Sequence, residues 1–232
     1  MTELTQIVSN QALRQSLSGT LRIGYYAPIA PAFLPSILSS VAPDPAQVTL
    51  HLEECDNDTA QDGLLSGLFD AILFVSEGVR PSVAYDELIK ARAYCLMPSA
   101  HALAGQGAVS MAQIAQEPLV GLNRPVASAY YRDLFEAGAH DPRIIAYANS
   151  TEMVRSLVSA GRGVAILNMQ PLTMTSYTGE TVVGVPISDA HAPLTLAVGY
   201  EKTRPRRLVQ SFVDACLAHF NTPGPAQCIL RR

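Results

Sequence analysis

Short apolar runs alternate along this chain with stretches of helical spacing. Leu21 and Ile23 alternate with polar neighbours in a strand over residues 21–26, where Gly24 lets the chain turn into a helix near Pro31. That helix runs to about Val41 and carries the stripe Phe33, Leu34, Ile37 and Leu38. Val48, Leu50 and Leu52 alternate with Thr49 and His51 in a second strand, which runs into an acidic loop over residues 53–58. Thr59 then caps a helix bearing Leu64 and Leu65 and ended by Gly67. Residues 70–75 read as a third, buried strand, 76–86 as a turn-rich connection, and 87–97 as one extended apolar segment stopped by Pro98.

The second half repeats the plan. A helix at 110–116 is followed by a strand at 119–122, a helix at 128–138 and a strand at 143–148. Ser150 caps a helix that Gly161 stops, and Val164 to Leu167 form a buried strand. Strands at 182–186 and 194–200 and an amphipathic helix at 206–220 complete the pattern, with residues 221–232 as a loose tail. Such β–α alternation argues for an α/β fold on a mainly parallel sheet, with any ligand at the edge where the strand C-termini gather.

Composition narrows the function. With 232 residues, 48% hydrophobic and 16% charged, the chain has the material for two packed lobes. Its net charge is −4, and its one basic cluster, Arg204, Arg206 and Arg207, reads as a solvated helix start rather than a duplex-binding surface. No run of eighteen apolar residues is present to span a membrane, and residues 1–18 are polar and helix-like, so a cytoplasmic location is expected. The four cysteines and five histidines show no metal-type spacing, and the cysteines read as reduced core thiols. The acidic stretch at 53–58 lacks the fixed glycine of a hard-cation loop, so neither a metal nor a cofactor is expected. No nucleophile elbow, phosphate loop or dinucleotide fingerprint appears, which argues against an enzyme.

Six segments in order carry a resemblance: Gly19-Thr-Leu-Arg-Ile-Gly24; Leu34-Pro35; Leu64 to Asp70; Ser99-Ala-His101-Ala-Leu103-Ala104; Gln116-Glu117-Pro118-Leu119; and Gly161 to Leu167. Together they resemble the effector-binding domain of LysR-type transcriptional regulators, over about residues 19–220. The resemblance implies two Rossmann-like lobes joined by two crossover strands, like a type II periplasmic binding protein. Lobe one would take residues 19–91 and 193–220, lobe two 92–192, and residues 1–18 would be the remnant of a linker helix. It implies a sensor of a small polar or anionic organic effector bound between the lobes, acting as a homodimer or as a tetramer in the full regulator. DNA would be bound only through a winged helix-turn-helix absent from this chain. Subunits would pack first-lobe helices against second-lobe helices, with Phe33, Ile37 and Val41 partly at the contact.

Carried over by position, the effector would meet Tyr26, Ala27, Pro28, Ile29 and Asn57 from lobe one. From lobe two it would meet Asn123, Arg124, Pro125, Ala127, Ser128, Asn149, Ser150 and Thr151. Pro28 stands where many relatives place a hydroxyl that grips a carboxylate, and it offers neither a hydroxyl nor an N–H. Arg124 is the one evident cation there. Of each adjacent pair Tyr25/Tyr26 and Tyr130/Tyr131, at most one ring is free for a ligand, and His101 orders its own loop. A transporter's solute-binding protein shares the expected fold and is the alternative. A redox sensor built on paired cysteines is disfavoured because Cys95 stands alone in lobe two.

Overall fold

Strand β1 (Gly19–Tyr26) lies at the centre of the first lobe's logic. The computed structural model describes residues 17–26, 30–171, 173–203 and 205–222. Leu21 and Ile23 are fully buried on one face of β1, while Arg22 on the other side pairs with Asp70 at 2.9 Å. Parallel to β1 run β2 (Val48–Cys55) and β3 (Ala71–Val75), and antiparallel β10 (Leu194–Tyr200) joins β3 to β4 (Ala84–Ala91). The sheet order is therefore β2-β1-β3-β10-β4.

Helix α1 (Leu34–Val41), entered through a 3-10 turn at Ala30–Ala32, covers one face together with the last helix, α6 (Arg207–Asn221). Phe33 and Phe220 meet edge to face, with ring centroids 4.9 Å apart. The other face is covered by α2 (Asn57–Leu65). Phe69 inserts its ring where Gly24 and Gly63 have no side chain, at 2.6 and 2.4 Å from the positions a Cβ would take. Gly24 is thus required for close approach inside a continuing strand. The strand runs on through Tyr26, past the turn expected at Gly24.

The second lobe is built on β5 (Ala93–Pro98), flanked antiparallel by β8 (Ala165–Asn168) and β9 (Val182–Pro186). Strands β6 (Leu119–Leu122) and β7 (Ile144–Ala148) pair in parallel and join β8 through a bridge from Leu119 to Val164. Three helices pack on it: α3 (Met111–Ile114), α4 (Pro125–Ala137) and α5 (Thr151–Ser159).

Several expectations need correction. Both sheets are mixed rather than mainly parallel, because β10 and β9 are reached without a crossover helix. The apolar segment 87–97 is two strands in different sheets: at Arg92 the hydrogen-bonding partner changes from β10 to β8 and β9. The acidic residues Glu53 and Glu54 belong to strand β2, and the cap of α2 is Asp56, whose Oδ1 accepts from Thr59 N at 2.9 Å. Helix α4 starts at Pro125, so residues 125–128 form its first turn rather than a loop. Phe33, Ile37 and Val41 are buried within their own subunit and are not available to a partner. Of the expected linker remnant at 1–18 and tail at 221–232, residues 1–16 and 223–232 lie outside the described residues.

The segment after α5 follows its sequence closely. Gly161, at φ 71°, closes the helix with Gly161 N donating to Val158 O and Arg162 N to Leu157 O, a paired C-terminal cap. Gly163 then passes so close to β6 that a Cβ would stand 2.2 Å from Pro118 O, and Val164 N donates to that same carbonyl at 2.8 Å. Gly163→Ala is expected to cost more than about 2 kcal/mol, since a backbone carbonyl held in a sheet cannot yield. Gly161→Ala, with open space around it, should cost about 1 kcal/mol. Urea unfolding of both variants should reproduce that order.

Candidate functional site

The chain crosses between the two sheets twice, and the C-terminal ends of β1, β3 and β8 converge beside the crossings. Asn168, the last residue of β8, donates its Nδ2 to Ala91 O at 2.9 Å, while Tyr130 Oη on α4 donates to Ala192 O at 2.7 Å. Ala93 N donates to His191 Nε2 at 3.1 Å. These contacts tie lobe two to both crossing strands.

Further out, the lobes are bridged by Arg124, the N-cap residue of α4. Its guanidinium leaves lobe two, donates from Nη2 to Cys55 O at 2.7 Å and stands 3.5 Å from Glu54 Oε1, both on β2. It also covers the Tyr26 ring, 5.0 Å from the centroid. Burial raises the Tyr26 hydroxyl above its ordinary pKa, against the opposing pull of Arg124.

Two spaces lie between the lobes. The inner one is nearly closed, about 20 Å³, lined by Tyr26, Ala127, Asn168 and Met169 among others. The outer one is a cleft of about 400 Å³, formed by Pro31, Ala32 and Glu54 on one side and Thr151, Glu152 and Arg155 on the other. Met169 lines both. Arg155 is almost fully buried: Nε donates to Glu152 Oε2 at 2.9 Å, and Nη2 donates to Thr173 O and Thr175 O, each at 3.0 Å.

Six buried side-chain atoms have no hydrogen-bond partner among the described residues: Tyr26 Oη, Arg124 Nε, Thr151 Oγ1, Arg155 Nη1, Asn168 Oδ1 and Gln170 Oε1. Buried polar groups in a folded protein are normally paired, so orphans gathered in one place mark where a ligand or water belongs. All six belong to residues of these two spaces or to the bridging arginine. A larger groove of about 590 Å³ lies elsewhere, between α4 and β7 on lobe two, and none of the six lines it.

The expected site residues divide on this geometry. Tyr26, Ala127, Ser150 and Thr151 line the inter-lobe spaces, and Ser150 caps α5 by accepting from Met153 N at 3.4 Å. Asn123 and Ser128 line the lobe-two groove instead. Asn149 lines neither inter-lobe space, and Pro125 serves as the first residue of α4. Ala27, Pro28 and Ile29 lie outside the described residues. Asn57 is buried and its carboxamide is consumed locally: Nδ2 donates to Val75 O and Glu77 O, and Oδ1 accepts from Val75 N at 2.8 Å. Arg124 points to lobe one rather than standing free for a ligand's acid. His101 orders its loop, its Nδ1 accepting from Leu103 N at 3.2 Å.

Sequence reasoning missed Glu152, Arg155 and Asn168. Glu152 and Arg155 sit three apart on a helix, a spacing that signals an ion pair, and Asn168 is the first polar residue after an apolar strand. Burial pushes the thiols of Cys95 and Cys216 up to about 12 and that of Cys55 to about 11, so none of the three is a reactive thiolate.

Comparison with known proteins gives a consistent answer. The family model described as the LysR substrate binding domain matches residues 14–221. The chain is 25% identical over 210 residues to the regulatory protein NocR of Agrobacterium tumefaciens, covering 88% of this chain and 68% of NocR. The crystal structure of HinK, a LysR family transcriptional regulator from Pseudomonas aeruginosa, superposes with a TM-score of 0.81 at 26% identity, over 94% of this chain and 76% of that one. The BenM effector binding domain with its effector benzoate shares the fold, with a TM-score of 0.76 at 18% identity over 94% of this chain and all of that one (100%).

The two polar groups singled out from lobe one and lobe two should behave oppositely. Asn57→Ala is expected to cost about 2 kcal/mol without any ligand, because it strands buried backbone groups at the end of β3. Thr151→Val removes an already unpaired hydroxyl and should change unliganded stability by less than about 1 kcal/mol. Denaturant titration of the two variants checks the contrast.

Proposed function

The chain belongs to the LysR substrate-binding domain family, and we propose that its inter-lobe cleft takes up a small polar or anionic organic effector and reports that event through lobe geometry. The observation that carries this reading is the gathering of unpaired buried polar atoms at the inter-lobe spaces: Thr151 Oγ1, Arg155 Nη1 and Gln170 Oε1 on residues of the cleft, and Tyr26 Oη and Asn168 Oδ1 on residues of the inner space. A ligand there would bond lobe two through Thr151 and Arg155 and meet lobe one at Glu54, so it favours the arrangement in which the lobes are correctly spaced. Arg124 makes the coupling physical: its bonds to Cys55 O and Glu54 hold lobe two against β2, and any ligand that draws Glu54 or Tyr26 into new contacts changes that bridge.

The reading is of a sensor, not an enzyme: among the described residues the cleft brings together binding groups without an activated nucleophile or a base and acid in mutual reach. In the whole regulator, DNA would be contacted by a separate domain, with this chain as the effector-responsive, cytoplasmic part. HinK and NocR are both named as regulators, which favours this over a transporter's solute-binding protein.

The active form would be a homodimer. Among the exposed large apolar side chains are Leu52 on edge strand β2 and Ile144, Ile145 and Tyr147 on edge strand β7, and we read these two edges, on opposite lobes, as the faces of a side-by-side antiparallel pair.

A thermal-shift screen against aromatic acids, amino acids, short organic acids, purines and amides is expected to find a stabilising compound, worth about 2.7 kcal/mol at a hundredfold over its Kd. The gain should disappear in Thr151→Val while persisting in a variant of the lobe-two groove such as Arg132→Ala. Light scattering should give a dimer mass for the chain, and Tyr147→Asp together with Leu52→Asp should give a monomer with an unchanged circular dichroism spectrum. A monomer mass for the unsubstituted chain would count against the edge-strand pairing.

A further inference from the structure

Taking the cleft as the effector site, as proposed above, we infer that Tyr177 is the specificity-determining residue of that site. Its ring is a preformed stacking surface, and the effector is a small planar molecule, aromatic or conjugated, that lies against it.

Tyr177 stands out first by its exposure. At 90% it is the most exposed large apolar side chain among the described residues, and of those that stand exposed it alone lines the cleft. An exposed ring on a loose loop is an ordinary surface feature. Tyr177 instead sits in the segment 173–181, between β8 and β9, which is bound to α5 along its length. Arg155, almost fully buried, donates from Nη2 to Thr173 O and Thr175 O, each at 3.0 Å. Ser176 is buried, and its Oγ donates to Ser159 Oγ at 2.9 Å. Tyr177 N itself donates to Glu152 Oε1 at 2.7 Å. The turn is closed by Ser176 N on Glu180 O and Gly179 N on Ser176 O, each at 2.9 Å, and Thr175 pairs with Thr181 across it. The backbone beneath the ring is therefore fixed before any ligand arrives, and only side-chain rotations remain to be ordered. Under that condition an aromatic side chain contributes most to binding, because little entropy is lost.

The rest of the lining leaves discrimination to shape. Its charged groups are matched: Glu152 pairs with Arg155 at 2.9 Å, and Glu54 stands 3.5 Å from Arg124. Its apolar members come from both lobes, Pro31 and Ala32 from one, Met169, Pro171 and Tyr177 from the other. A flat ring meets the face of a tyrosine over its whole area, which a puckered saturated ring cannot do. The cleft volume of about 400 Å³ suits one small ring system with its substituents.

The test compares pairs of molecules that differ only in the planarity of the ring: benzoate with cyclohexanecarboxylate, and benzamide with cyclohexanecarboxamide. Calorimetric titration of the chain is expected to show saturable binding by at least one planar member, with its saturated counterpart at least about fivefold weaker, the size of an aromatic pair contribution. Tyr177→Ala, at a position too exposed to disturb the fold, should weaken the planar member by a similar factor and erase the preference within the pair, with an unchanged melting temperature. Tyr177→Phe should keep the preference, since the ring and not the hydroxyl carries it. The chain contains no tryptophan, so Tyr177→Trp supplies a single reporter whose emission should shift to the blue as the planar ligand covers it.

Three results would overturn the inference while sparing the site: a saturated member that binds as tightly as its planar partner and is abolished by Thr151→Val, an affinity lost in Thr151→Val but unchanged in Tyr177→Ala, or no binding by either planar compound. Binding that is indifferent to both Tyr177→Ala and Thr151→Val would instead displace the effector from the cleft.

Discussion

Two strands must cross from one sheet to the other, and the backbone at each crossing loses its sheet partners. Buried backbone groups need partners, and here side chains from lobe two supply them. Asn168 bonds Ala91 O, Tyr130 bonds Ala192 O, and His191 accepts from Ala93 N on the neighbouring crossing. The cleft exists because these bonds pin the lobes at one side only. Beyond them the lobes are bridged by Arg124 and flank a cleft whose lining includes Glu54, Thr151, Glu152 and Arg155.

That arrangement explains why functional groups are concentrated where they are. Each lobe buries its own apolar residues: Leu21, Ile23, Phe212 and their neighbours in one, Cys95, Met97, Ile114 and Phe135 in the other. Side chains facing the gap are thereby released from core packing and can be polar without destabilising either lobe. Arg155 shows the compromise. Its Nη2 and Nε are spent on the 173–175 segment and on Glu152, which fixes its place, and the remaining Nη1 is left for whatever enters the cleft. The wider groove beneath α4 lacks this character, which is why volume alone is a poor guide to the site.

Most of the elements could be read in the chain because their causes are local. Alternation at Leu21 and Ile23, the cap at Ser150 and the glycine at 161 each act within a few residues, and each has the structural role its sequence context implies. The failures are all non-local. Nothing between residues 87 and 97 announces that β4 and β5 belong to different sheets, because the partners that separate them, β10 and β8, lie about 110 and about 70 residues on. The same reason hides Asn57. Its position at the start of a helix suggests a free amide, and only the return of β3 shows that Val75 consumes it. Arg155 was missed because charged residues of an amphipathic helix usually face solvent, whereas this one has its charge cancelled by Glu152 and points inward. The six-segment resemblance reached the family, since those motifs are backbone requirements of the fold. It did not reach the effector, because the effector is chosen by side chains that the fold leaves free.

The energetics of signalling follow from the same geometry. Closure of the lobes would alter the contacts across the gap, of which the Arg124 bridge is the principal polar one, and the packing of Met169, Val126 and Tyr130 against the first lobe's core. A charge-assisted hydrogen bond contributes about 1.5–3 kcal/mol, so the Arg124 bridge and a ligand's new bonds are of comparable size. A ligand shifts such an equilibrium only by the difference in its affinity for the two arrangements. Two or three hydrogen bonds made to both lobes in one arrangement, and to a single lobe in the other, supply a difference of that size. The unpaired atoms on Tyr26 in lobe one and on Thr151 and Arg155 in lobe two are therefore suited to conformational control as well as to affinity, because no ligand satisfies them all unless the lobes are held at one spacing.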